Sequence, residues 1–169
     1  MNPAHVHLAL NHIPVIGSLL GIGILAYAFY AKSEELKKFS HTFFVAIALL
    51  SFPAFFSGEP AEEKIEKMAG VEEKYIEEHE EAAEAAFIAV LILGALAGAG
   101  LFKQKNSGKL PAWSVNGVIA MSILTLLLMG RASSLGGEIR HPEIRSGGGS
   151  AMSGQSMEHE GHESGEHQH

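Results

Sequence analysis

The sequence predicts an all-α integral membrane protein: a four-helix bundle with an extramembrane helical cap and a disordered C-terminal tail. Three observations predict it. Four stretches run without charge for about the length of a bilayer crossing; the mean hydropathy of the 169 residues is positive, +0.15; and a Glu-rich segment with helical spacing of apolar residues separates the second stretch from the third.

The first stretch, about Ile13–Ala31, is preceded by Met1–His7 with no Lys or Arg and is not followed by a small-x-small cleavage site. A retained first span is expected rather than a removable signal. Phe39–Ser57 comes next and is marginal, because it is shorter and carries Pro53. A buried helix is its alternative reading, and a span the one adopted. Ala85–Phe102 and Pro111–Gly130 complete the four. Gly17-x-x-x-Gly21 and Gly94-x-x-x-Gly98 supply the small surfaces on which membrane helices approach closely. They are read as contacts within the bundle, with dimer contacts as the alternative.

Between spans two and three, Ser57-Gly58-Glu59-Pro60 followed by Glu62 and Glu63 has the form of a helix start. Gly70 is expected to end that helix. A second helix is expected to begin near Val71 and run on into the third span, with Tyr75, Ile76, His79, Ala83 and Phe87 on its apolar face. Residues 60–84 thus form the cap. Residues 1–145 make the bundle and 146–169 a tail whose Gly, Ser and Glu cannot build a core.

Charge sets the orientation. Lys32, Lys37 and Lys38 occupy the first connection and Lys103, Lys105 and Lys109 the third, both short, so these two loops are placed in the cytoplasm. Lys64, Lys67, Lys74, Arg131, Arg140 and Arg145 match that raw count on the other side, but there they are diluted by eleven Glu between Glu59 and Glu84. Both termini are then outside. Tyr27, Tyr30 and Trp113 fall at the cytoplasmic interface as an aromatic belt.

Composition excludes whole classes of chemistry. There is no Cys, which removes disulfides, thiolate zinc sites, cysteine-ligated iron–sulfur clusters, a thiol nucleophile and covalent c-type haem. All 19 acids are Glu, so an Asp-rich calcium loop and a Ser-His-Asp triad are absent. His79-Glu80 lacks the second His of a zinc-protease helix, and no phosphate loop, nucleophile elbow or basic nucleic-acid face is present. Nothing in composition or spacing specifies a catalytic turnover.

The ten His remain. The topology places His5, His7, His12, His79 and His141 at one membrane face, and turning the protein over moves them together. Any one of them alone reads as an interfacial polar residue, but five from three segments read as a metal or haem site. His41 belongs to the other face, where an interfacial role is expected. Paired imidazoles on facing helices suit the axial positions of haem b, so His12, His79, His141 and His5 are its candidate ligands, with His12, deepest in its apolar run, first. Phe52, Phe55, Phe56, Leu128 and Met129 would line a slot. Arg131 and Arg140, with Arg145, are the only arginines and fall at that end. They would pair with propionates or anchor to lipid headgroups. A second chemistry uses the same face: His7, Glu80 and Glu138, with His159, His162, His167 and His169 in the tail and Met152 and Met157 beside them, as a copper, zinc or iron site. Glu138-x-x-His141 has di-iron spacing but occurs once.

The segments HLALNHIPVIG, SGEPAEE, HEEAAE and GGEIRHPEI resemble the signatures of a largely uncharacterised family of four-span bacterial inner-membrane proteins, some of them candidate haem binders. The resemblance spans about Val6–Ile144. It implies fold and membrane, and emphasises His12, Pro14, Gly58, Glu59, Pro60, His79, Gly137, Arg140 and His141. Three functions are carried forward: a haem b protein passing electrons between a quinone and an outside partner protein; a non-haem metal-handling protein; and an accessory subunit of a larger membrane complex or homodimer.

Overall fold

The computed structural model describes residues 2–66 and 72–140. They form five helices, α1 (Pro3–Tyr30), α2 (Glu34–Phe56), α3 (Gly58–Ile65), α4 (Glu73–Ser107) and α5 (Ala112–Arg140), with no strand among the described residues. α1, α2, α4 and α5 are each long and apolar enough to cross a membrane. The chain is a multi-pass, four-span bundle. The expected ends of the cap helices at Gly70 and Val71, and the tail, lie outside the described residues.

Local chemistry explains the breaks between helices. Asn2 caps α1 by accepting from the Ala4 N–H, and Pro3 takes the first turn, where no N–H is needed. Lys32 turns the chain with a left-handed φ of 49° before Ser33 caps α2 through the Leu36 N–H at 3.3 Å. Glu34–Lys37 and Glu35–Lys38 ion pairs at 2.8 and 2.7 Å follow in the first turn. Pro53 lies in the last turn of α2 and leaves the helix unbroken to Phe56, so the marginal second run spans like the others. Gly108, at φ 77°, ends α4 as a left-handed cap.

The bundle closes through small residues. A Cβ on Gly17 would meet the Ile47 side chain at 2.2 Å, one on Gly21 the Phe44 ring at 2.5 Å, and one on Gly94 the Ala48 Cβ at 2.4 Å. The small-residue motifs of the first and third spans therefore seat α2 within the same chain. In a lipid solvent, where burying apolar surface between helices gains little, such close packing holds helices together. Two clusters fill the interior: Leu25, Phe44, Leu93, Ala97 and Val118 towards the α1–α2 turn, and Ile47, Ala86, Val90 and Met129 towards α3.

α2 and α5 each pack against both α1 and α4, which leaves α1 and α4 at opposite corners. A residue of α1 that meets one of α4 therefore does so near the bundle axis. The end of the bundle that carries α3 is called the outer end, and the end with the α1–α2 turn the inner end.

Candidate functional site

One such meeting occurs at the outer end. His7 on α1 and His79 on α4 lie with ring centroids 6.5 Å apart and planes at 84°. Both rings are partly buried. All four spans contribute: α1 and α4 the imidazoles, the end of α2 Ser57, and α5 Ala132 and Gly136.

Hydrogen bonds fix the chemistry of both rings. A carbonyl oxygen only accepts, so the 2.9 Å contact between His79 Nδ1 and the Ala132 oxygen is an N–H donated by the ring. Ser57 Oγ lies 2.8 Å from the Ala54 oxygen and 3.0 Å from His7 Nδ1, and with its proton on Ala54 it accepts from the ring. The Ala54 carbonyl also lies beside the His7 ring. In the neutral state His79 thus carries its proton on Nδ1 and a lone pair on Nε2, and His7 does the same when the Ser57 proton is on Ala54. That is the tautomer of a metal-binding imidazole held by an outer oxygen.

The surroundings are small. Gly136 is needed for the approach of His79, because a Cβ there would stand 3.0 Å from its Cε1 and 3.2 Å from its Nδ1. Gly58 faces His7, with a built Cβ at 3.7 Å from Cε1. Ala54, Ala61, Ala82 and Ala132 are buried at the same end. Above them, on the polar helix α3 beyond the apolar run of α2, burial and then the charges of Glu80, Glu66 and Glu59 hold the Glu62 carboxyl above the usual carboxylate range.

His5 and His12 are exposed, and the His12 ring donates Nδ1–H to the Leu8 carbonyl one turn back. Neither joins His7 and His79. Glu80 and Arg131 are exposed and Glu138 is half-buried. Arg140 closes α5, while His141, Arg145, Met152, Met157, His159, His162, His167 and His169 lie outside the described residues. Phe52, Phe55 and Phe56 gather with Phe87 on the α2–α4 seam, where Phe55 and Phe87 stack at 4.3 Å. Met129 is buried in the core and accepts from Ser18 Oγ at 3.6 Å. No group of three or more His and Glu that could hold a metal ion occurs among the described residues.

His41, expected at the interface, is turned wholly into the bundle at the inner end. It follows the buried stripe of Ser40, Phe44, Ile47, Ala48 and Ser51 along α2.

His7 had a signal in the sequence. The buried positions of α1, Leu25, Gly21, then Ser18 or Gly17, then Pro14, recede by three or four residues at a time, and two more such steps reach Leu10 and His7. His5 and His12 fall off that stripe. On α5 the same reasoning through Ser122, Thr125, Met129 and Ala132 reaches Gly136, not Gly137. Ser57 had none, since its link to His7 joins residues 50 positions apart.

No family model, no curated protein and no solved structure matches this chain.

Proposed function

We propose that this chain is a b-type haem-binding protein of the bacterial inner membrane, with both termini outside, which passes electrons between a membrane quinone and a partner protein at the outer face. The observation that carries this reading is the His7–His79 pair: two imidazoles from diagonal helices that meet at one end of the bundle, each with Nδ1 at an oxygen of another segment. The two rings stand 6.5 Å apart between centroids, and such a pair of imidazoles from facing helices would hold a b-type haem. A b-type haem would need no more than these two imidazoles from the protein, whereas a closed zinc site would need four side chains.

His7 and His79 would hold the iron, and Arg131 and Arg140 would pair with the propionates. When bound, the haem supplies one-electron redox chemistry. The chain orients both rings, keeps them in the ligand tautomer, and surrounds them with small apolar side chains.

The test is the absorption spectrum of the detergent-purified chain, expressed with adequate haem supply, before and after dithionite. A Soret band within about 400–430 nm that shifts on reduction is expected. A colourless protein would overturn the reading. Bound copper, zinc or iron in that colourless sample would move the case to metal handling, and no metal at all to an accessory subunit.

A further inference from the structure

We propose that Ser57 is the positioning residue for His7, holding that ring in the tautomer that leaves Nε2 free for a metal. The inference rests on the reading of His7 as a ligand.

Ser33 and Ser57 each precede a helix, but Ser33 is extended (φ −98°, ψ 113°) whereas Ser57 is helical (φ −81°, ψ −7°) and also closes α2. At an N-cap a serine hydroxyl ordinarily accepts from a backbone N–H of the first turn. Ser33 does so, through Leu36 N–H at 3.3 Å. Ser57 makes no side-chain cap bond. Its hydroxyl proton goes back to the Ala54 oxygen at 2.8 Å and its lone pair faces His7 Nδ1 at 3.0 Å. From its helical backbone the Ser57 hydroxyl reaches back along α2 to Ala54, as serines within helices do, and in that place it also faces the His7 ring on α1.

The direction of the two bonds matters. With its single proton committed to Ala54, Ser57 offers His7 an acceptor alone. The Nδ1–H tautomer keeps both bonds, to His7 and to Ala54, whereas the Nε2–H tautomer requires the Ser57 proton to leave Ala54 and turn to the ring. The ring on the other side is fixed in the same sense by the Ala132 carbonyl. The pair is prepared for a metal by one hydroxyl and one peptide oxygen.

The experiment is nitrogen NMR of the full-length, haem-free protein labelled at histidine, with His7→Gln to assign the His7 ring, followed by hemin titration. In the wild type, His7 is expected as the Nδ1–H tautomer. Ser57→Ala should yield a mixture of tautomers and a loss of 10- to 100-fold in hemin affinity, with helix content unchanged because no cap is lost. Ser57→Thr, which keeps the hydroxyl, should restore both. A wild-type His7 protonated on Nε2, or a tautomer that Ser57→Ala leaves unchanged, would overturn the proposal. A wild type that binds no hemin overturns the haem reading alone, and the ring spectrum still decides the role of Ser57.

Discussion

The two ends of the bundle each place histidine inside the protein, and they do so differently. At the inner end His41 stands alone. It is 0% exposed, donates Nδ1–H to the Lys37 carbonyl at 2.9 Å, and leaves Nε2 buried with no hydrogen-bond partner. Beside it Gly100 makes room for Ser114, since a Cβ there would stand 1.9 Å from Ser114 Oγ and 3.5 Å from His41 Cδ2. At the outer end two rings share the axis, half-buried, with the same nitrogen engaged in each. Deeper burial marks the lone ring, and the engaged nitrogen does not separate a packing histidine from a candidate ligand. Convergence of a second ring does.

The comparison can be broken outright at Gly94, which lies between the two ends. Its missing Cβ lets Ala48 of α2 seat on α4, so Gly94→Leu should disturb both ends together. A loss of about 3 kcal/mol is expected from overpacking of this kind, read as a lowered unfolding midpoint in a denaturing-detergent titration. A fully stable variant would show that the helices do not pack as described.

Gly136→Ala disturbs one end only. The added methyl must push the His79 ring, weakening its bond to Ala132. A fall of about tenfold in hemin affinity, as for other losses of a ligand's outer partner, is expected with an unchanged unfolding midpoint. Equal affinity would mean that the ring does not need the place it holds.

His41→Phe sharpens the contrast at the other end. Leaving a buried polar atom unpaired costs about 1–3 kcal/mol, and a ring without nitrogens removes that cost while filling similar space. Stability is expected to stay level or rise by up to about 1 kcal/mol, with hemin binding untouched. A loss of hemin binding would make His41 part of the site and erase the distinction between the two ends.

The spans were legible because hydropathy and run length are local properties, and the lipid solvent leaves little choice but a helix for each run. The glycine pairs were legible for the same reason. The outer face was legible from topology, since alternating spans bring His7 and His79 to one side whatever the absolute orientation. Which ring on α1 would face inward was a matter of rotation about the helix. Depth in the apolar run favoured His12, yet the rotation is set by Gly17 and Gly21 against Ile47 and Phe44, and that face carries His7. The inward turn of His41 was missed for the same reason, its rotation following Phe44 and Ser40. Ser57 and Ala132 act through contacts between segments far apart in sequence, which no local pattern encodes.

The central claim is that His7 and His79, and not the neighbouring His5 and His12, form the ligand pair. Reduced-minus-oxidised spectra of His7→Ala, His79→Ala, His5→Ala and His12→Ala, purified alongside the wild type and normalised to protein, test it directly. The account predicts that the first two lose the reduced haem spectrum while the last two keep it. A His7→Ala protein with the wild-type spectrum, or a His12→Ala protein without it, would contradict the account.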